Sequence, residues 1–175
     1  MAKSWDVEGL DPDQPLIEGV RKIIQTKFRE AFFFRDAVIA NIDIEAVHDM
    51  RVSLRRLWAA MRIFSNCFDH DPEFERLIRK TRKLARRLGS VRDLDVLIEM
   101  LQKAQSLELS EPKLVALTTL IENSQKRRAK KHQELLEHLQ KLEEKGFEEE
   151  FLRFFAPDYD SFLSIATIGS QATNS

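Results

Sequence analysis

The chain has 175 residues, of which 43% are apolar and 33% are charged, with five glycines and five prolines. This length and composition predict a single soluble domain with one core, and long charged segments of helical periodicity favour an all-α fold. A single cysteine excludes an intrachain disulfide and suits a reducing compartment. The formal net charge of −1 predicts no partner by itself, so the distribution of charge has to be considered.

The N-terminal residues 1–12 are acidic and lack the apolar core of a signal peptide, so we predict a disordered tail there and a cytoplasmic protein. We expect the helical domain to cover residues 13–155. Its first helix should run from Pro15 to about Ala40, because apolar residues recur there at helical spacing. Asp43 is a suitable N-cap for a second helix.

The second helix carries two opposed stripes. One stripe is apolar, and it comprises Val47, Met50, Leu54, Leu57, Met61, Phe64 and Phe68. The other stripe is polar, and it comprises His48, Arg51, Arg55 and Arg62. At about 1.5 Å per residue, the polar stripe extends for roughly 21 Å along one side of the helix.

The third helix, predicted over 72–88, repeats this arrangement. Its basic residues recur at three- and four-residue spacing, namely Arg76, Arg79, Lys80, Lys83 and Arg87. Like charges at this spacing repel each other by a few tenths of a kcal/mol per pair, which suggests an anion that relieves the repulsion. Between positions 51 and 92, twelve basic residues against four acidic ones leave a local charge of +8.

We predict that the third helix stops at Gly89 and that Ser90 caps a fourth helix ending near Ser106. Asp93, three residues after Ser90, would complete a capping box, a structural role that we prefer to ligand contact. A fifth helix should run from Ser110 to about Lys145, followed by a short one over 147–155 and a disordered tail over 156–175. Arg128 and Lys131 interrupt the apolar stripe of the fifth helix. This section therefore either extends beyond the core into solvent or faces a cleft that it shares with the basic stripes of the second and third helices.

Two segments, Val-His-Asp-Met-Arg-Val-Ser-Leu-Arg-Arg-Leu from Val47 and Leu-Gly-Ser-Val-Arg-Asp-Leu-Asp-Val from Leu88, resemble the motifs of the CHAD family, the conserved histidine α-helical domain. The resemblance implies an antiparallel bundle of long helices whose basic cleft binds inorganic polyphosphate without catalysis. The residues that match the first motif are His48, Arg51, Arg55 and Arg56, and those that match the second are Arg92 and Asp93.

The chain departs from the family pattern in two ways. Trp58 stands where the family commonly has an arginine. The usual family domain has two pseudo-symmetric helical halves, each with its own motifs. This chain has the motifs of one half only, and we expect that half to contain four to five helices. Either two chains pair or the single half acts alone, and we predict a homodimer.

Arginine suits a polyphosphate ligand because its planar guanidinium donates two parallel hydrogen bonds to phosphate oxygens and stays charged. We therefore predict a polyphosphate-targeting or adaptor module, located in the cytoplasm or at polyphosphate granules. The predicted binding residues are His48, Arg51, Arg55, Arg56, Arg62, Arg76, Arg79, Lys80, Lys83, Arg87, Arg92, Arg128 and Lys131.

Three other classes of function are compatible with parts of the pattern. The first is a binder of nucleic acid or another polyanion, although Trp58 is the only aromatic residue near the basic stripe. The second is a phosphohydrolase, or a regulatory half for a separate triphosphate-processing enzyme, but the sequence has no Gly-rich phosphate loop and no carboxylate cluster for Mg²⁺ beside the basic face. The third is a purely structural helical partner. We predict no enzymatic activity, no cofactor and no metal at His48.

Overall fold

The computed structural model describes residues 3–41, 44–69, 71–107 and 110–156. Within these ranges the chain forms six α-helices and one turn of 3-10 helix at Ser65–Phe68, and no strand. The α-helices are α1 (Leu16–Phe32), α2 (Arg35–Ala40), α3 (Ile44–Ile63), α4 (Pro72–Gln105), α5 (Glu111–Glu144) and α6 (Phe147–Phe154). The predicted all-α bundle is confirmed.

The four long helices pack as antiparallel neighbours in chain order, α1 against α3, α3 against α4, and α4 against α5. The core contains Ile24, Leu54, Leu84 and Leu139, one from each of these helices. The short helix α6 closes one end, where Phe151 stacks on Phe28 with ring centroids 4.0 Å apart. This order leaves α4 with α3 on one flank and α5 on the other, and that placement positions the candidate site.

The predicted first helix is two helices in the structure. It ends at Phe32 and restarts at Arg35, and Phe33 between them is 68% exposed. After this break α2 buries Val38, whose backbone carbonyl lies 3.1 Å from Nε2 of His132 on α5. Asn41 then ends α2 in the left-handed region at φ 49°. Asp43, the expected N-cap, lies outside the described residues.

The largest difference from the sequence prediction is in α4, which runs unbroken through Gly89 and Ser90. The predicted capping box is therefore wrong. The Ser90 hydroxyl donates to the backbone carbonyl of Arg86 at 3.1 Å, inside the helix, and the N-cap is Asp71. Leu88 and Val91 continue one buried stripe through the predicted break, and this packing outweighs the roughly 1 kcal/mol that a helical glycine costs.

The segment 3–12, for which we predicted disorder, lies along α1. The backbone N–H of Trp5 donates to the carboxylate of Glu30 at 3.0 Å, and Lys27 donates to the Trp5 carbonyl at 2.6 Å. The second half of the chain follows the prediction more closely, because α5 and α6 are separated at Gly146, which has φ 61°. The C-terminal segment expected to be disordered lies, from residue 157 onward, outside the described residues. No helix in the described ranges is both long and apolar enough to cross a membrane.

Candidate functional site

A groove of about 370 Å³ lies between α3 and α4 on the outer side of the bundle. We call it the arginine groove, and its lining is Arg51, Arg55, Trp58, Arg82, Ala85, Arg86, Gly89, Ser90 and Asp93. Because the two helices are antiparallel, the first half of α3 lies beside the middle of α4. The groove is therefore lined by residues of both sequence motifs, together with the turn of α4 that precedes the second motif.

The spacing of residues along α4 explains this lining. Positions 82, 86, 89 and 93 recur every three or four residues and so share one face of a continuous helix. Gly89 lies beside the side chain of Arg51, since a Cβ atom placed on it would lie 3.5 Å from Nε of Arg51. Without a side chain at position 89, the guanidinium of Arg51 lies directly over the α4 backbone.

The side chains of the four arginines of the groove, Arg51, Arg55, Arg82 and Arg86, are unpaired in the described part of the chain. None of their guanidinium groups makes a hydrogen bond or an ion pair with the residues that the structure describes. Asp93 lines the same groove, but it too makes no ion pair among the described residues. The groove thus concentrates four guanidinium groups whose hydrogen-bond donors are available to an external anion.

Trp58 gives the groove an apolar part. It is half-buried on α3, and the guanidinium of Arg62 lies 5.4 Å from its ring centroid, within range of a cation–π contact. Arg62, one of the predicted binding residues, is thus held at the edge of the groove by Trp58.

Most predicted binding residues of α4 lie on its other flank, which faces α5 and α6. Arg76 and Lys80 both pair with Glu150, and Lys80 does so at 2.7 Å. Arg87 donates to the backbone carbonyl of Glu134 at 3.2 Å. Lys83 lies near His138 on α5, where it helps to lower the pKa of that histidine. The structure does not bring these four residues to the arginine groove.

The remaining residue of that stripe, Arg79, pairs with Glu75 one turn away in α4, with 3.5 Å between Nη1 and Oε2. Both side chains are mostly exposed, so this is a surface ion pair. Arg79 does not line the arginine groove either.

Arg56 points toward α1 instead of the groove. Its Nη1 donates to Glu30 at 2.6 Å, and the Glu30 side chain is fully buried. Burial raises the pKa of Glu30, but the hydrogen bonds from Trp5, Arg56 and Lys27 outweigh it and hold this pKa below the ordinary value. This ion pair fastens α3 to α1.

His48 and Arg92 lie beside the start of α3. Potential ligand atoms of Glu45, His48 and Asp49 lie within 4.8 Å of one another, and Arg92 approaches Glu45 to 3.9 Å. Two acidic side chains, Glu45 and Asp49, therefore lie close to His48, although the polar stripe that His48 shares on α3 is otherwise basic. Neither His48 nor Arg92 lines the groove. Exposed acidic groups like these are common without an ion, and the absence of a metal at His48 stays a prediction.

The two residues of α5 left open by the sequence have different environments. Arg128 points inward, where its Nε donates to Asp95 at 2.8 Å and its Nη1 donates to Asn41 at 3.1 Å. Lys131 pairs with Glu134 at 2.9 Å and lies on the outer side, next to α4. Neither of them reaches the arginine groove.

Sequence reasoning missed Arg82 and Arg86 as site residues, although it counted them in the local charge. The signal that could have identified them is the spacing of Arg82, Arg86, Gly89 and Asp93 on an unbroken helix. Because we predicted a break at Gly89, the basic residues before the glycine and the motif after it were assigned to separate helices. Their position on one shared helix face was therefore not recognised.

The fold and the groove define the chain as an all-α bundle with a cationic groove between two antiparallel helices. The family model of the CHAD domain matches residues 22–172, so this chain belongs to the CHAD family. No curated protein and no solved structure matches the chain.

Proposed function

We propose that the arginine groove binds inorganic polyphosphate and holds it without cleaving it. The observation that carries this proposal is a set of four arginines in one groove, Arg51, Arg55, Arg82 and Arg86, whose guanidinium groups have no partner among the described residues. Cations that repel each other and have no acidic partner are stabilised when an anion binds between them. CHAD domains are known to bind polyphosphate-related ligands, which supports the same assignment.

The chemistry of the groove suits a chain of phosphates. Each guanidinium presents a planar set of donors to phosphate oxygens, and each charge-assisted hydrogen bond contributes roughly 1.5–3 kcal/mol before the cost of ordering the ligand. Four such groups along one groove favour a ligand with several linked charges over a single phosphate ion. We infer a targeting or adaptor role, in the cytoplasm or at polyphosphate granules.

The test is the affinity for long-chain polyphosphate of three single variants, Arg51→Ala, Arg82→Ala and Arg86→Ala. Each variant should bind about tenfold more weakly than the parent, because each loses at least one charge-assisted contact. Arg29→Ala is the control, since Arg29 is an exposed cation on α1 outside the groove, and its removal should leave the affinity unchanged. Equal losses in all four variants would mean that polyphosphate senses only the overall charge of the protein.

The half-buried Trp58 in the groove favours a second candidate, a nucleic-acid binder, because an aromatic ring among cations can stack on a base. Competition between the two ligands distinguishes the candidates. Long-chain polyphosphate should displace single-stranded RNA or DNA at equal phosphate concentration. The order reverses if nucleic acid is the ligand, and Trp58→Ala would then weaken the binding of nucleic acid more than that of polyphosphate.

We also propose that the chain is a homodimer and that it is not an enzyme. Large apolar side chains, among them Leu16, Phe33 and Ile63, are 68–72% exposed in the single chain, and a second copy would cover some of them. Molar mass in solution, measured with and without polyphosphate, tests the dimer. Incubation with polyphosphate and Mg²⁺ should release no phosphate, and a steady release that Arg82→Ala abolishes would contradict a pure binding role.

A further inference from the structure

A second hollow lies on the opposite flank of α4 from the arginine groove. It has a volume of about 500 Å³ and lies between α4 and α5. We call it the α4–α5 hollow, and its lining is Ser90, Asp93, Leu94, Leu97, Arg127, Lys130 and Lys131. Three cations from one turn of α5 therefore face α4 across an open space.

The two hollows adjoin each other at two shared lining residues on α4. Ser90 and Asp93 line both of them, so these two residues form the boundary at which one hollow passes into the other. Both residues are exposed, and Ser90 has a short side chain. A flexible anion bound in the arginine groove can thus cross α4 at this point without leaving the protein surface.

Two of the cations in the α4–α5 hollow are available to such a ligand. Arg127 and Lys130 are exposed, and neither makes a hydrogen bond or a salt bridge with any residue in the described ranges. Their neighbours differ from them, because Arg128 pairs with the buried Asp95 and Lys131 pairs with Glu134. Arg127 and Lys130 therefore resemble the four groove arginines in forming no salt bridge with the described residues, although the charge of Lys130 is among those that lower the pKa of Glu134.

We propose that the α4–α5 hollow is a second subsite for the same polyanion, which crosses α4 over Ser90 and Asp93 and contacts Arg127 and Lys130. This inference rests on the proposed function of the arginine groove and adds a preference for chain length. An α-helix with its side chains is about 10–12 Å wide, so a ligand must extend that far to contact cations on both flanks. Pyrophosphate is shorter and occupies one hollow at a time.

Asp93 gives the crossing point a negative charge. Its carboxylate is the only acidic group lining either hollow in the described part of the chain. A long anion that passes over α4 meets this charge, whereas pyrophosphate among the groove arginines can bind away from it. Asp93 thus weakens the binding of chains that cross α4 and lowers the discrimination in favour of long ligands.

The experiment measures the affinities for pyrophosphate and for long-chain polyphosphate in the parent protein and in the Arg127→Ala/Lys130→Ala variant. Long-chain affinity should fall by about tenfold or more in the variant, since two charge-assisted contacts are lost. The slope of log affinity against log salt concentration should decrease by about 0.7 for each phosphate contact removed, by analogy with single-stranded nucleic acid. Pyrophosphate affinity should stay within twofold of the parent value, on the order of the effect of one distant surface charge.

The matched control is Lys113→Ala/Lys126→Ala, which removes two exposed cations from the same helix that line neither hollow. It should leave the long-chain affinity nearly unchanged. Asp93→Asn supplies a variant of opposite sign, which should tighten long-chain binding by about two- to fivefold through the loss of one like charge.

The two proposals fail differently. If long-chain polyphosphate binds the parent and the Arg127→Ala/Lys130→Ala variant equally well, the second subsite is wrong and the arginine groove stands. Equal weakening of both probes, or equal weakening by the control pair, also overturns the second subsite. If the parent binds neither probe, the proposed function itself fails.

Discussion

Nε of Arg51 on α3 lies 3.5 Å from the position that a Cβ atom on Gly89 of α4 would occupy. This distance is an ordinary van der Waals contact, so a methyl group at position 89 fits beside Arg51, whereas a longer side chain would compete with the guanidinium for the same space. The glycine of the second motif and the arginine of the first are thus direct neighbours across the groove, and we expect the size of residue 89 to influence the position of the Arg51 guanidinium.

The first prediction concerns Gly89→Ala and Gly89→Leu. Alanine should raise the free energy of unfolding by about 0.5–1 kcal/mol, because an interior helical glycine is less favourable than alanine by this amount. Leucine should displace Arg51 and fill the groove, and should therefore weaken polyphosphate binding while the helix content is unchanged. Denaturant unfolding and binding assays on both variants test this, and equal binding by the parent and the leucine variant would contradict it.

The second prediction concerns the ion pair between Asp95 and Arg128. The Asp95 side chain is 0% exposed and that of Arg128 is 17% exposed, with 2.8 Å between Oδ1 and Nε. Asp95→Ala should lower the free energy of unfolding by about 3–5 kcal/mol, because the mostly buried guanidinium of Arg128 then loses its carboxylate partner. Thermal or denaturant unfolding measures the loss.

Glu75→Ala is the control for this effect. The Glu75–Arg79 pair is also on α4, but its side chains are 61% and 66% exposed. Its loss should change the free energy of unfolding by less than about 1 kcal/mol. Similar losses of unfolding free energy in the two variants would mean that the buried Asp95–Arg128 pair is no more important for stability than the exposed Glu75–Arg79 pair.

The third prediction concerns His138 on α5. Burial, together with the positive charges of Arg87, Lys83 and Lys141, lowers the pKa of this histidine from 6.5 to about 4. The unfolded chain therefore binds a proton at His138 in a pH range in which the folded chain does not. By linkage, His138 lowers the free energy of unfolding progressively as the pH falls from about 6.5 to about 4. Above this range His138 is neutral in both the folded and the unfolded chain, and it does not change the stability with pH.

The measurement is the free energy of unfolding of the parent and of His138→Gln across this pH range. The stability of the parent relative to the variant should decrease as the pH is lowered, since glutamine does not titrate. A constant difference between pH 7 and pH 4 would show that His138 is protonated equally in the folded and unfolded chains.

The helical class and the apolar stripes were predictable from the sequence because they depend on local periodicity. Val47, Met50, Leu54, Leu57 and Met61 are all buried as predicted. Arg51 and Arg55 of the first motif line a groove with α4, as their stripe suggested. These outcomes depend on which face of a helix is apolar, and the periodicity of one segment determines that face.

The flank of a helix that meets each neighbour is a tertiary property, and the sequence did not reveal it. Lys83 and Arg87 are next to Arg82 and Arg86 in the chain, yet a rotation of 100° per residue places the first pair toward α5 and the second toward α3. The same rotation separates Arg127, at the α4–α5 hollow, from Arg128, which contacts Asp95. The sequence predicted a basic helix but not which of its cations would be neutralised by acids from other helices.

The unequal lengths of the helices have a consequence for local stability. α4 and α5 have 34 residues each and are about 50 Å long, whereas α3 has 20 residues and is about 30 Å long. Beyond Asp95 in α4 and before Ile121 in α5, apolar side chains such as Met100 and Val115 are more than 60% exposed. Backbone amide protons in this tip should exchange with solvent through local opening, while those beside the core should exchange only when the whole chain unfolds. A single uninterrupted helix would therefore show two regimes of hydrogen exchange.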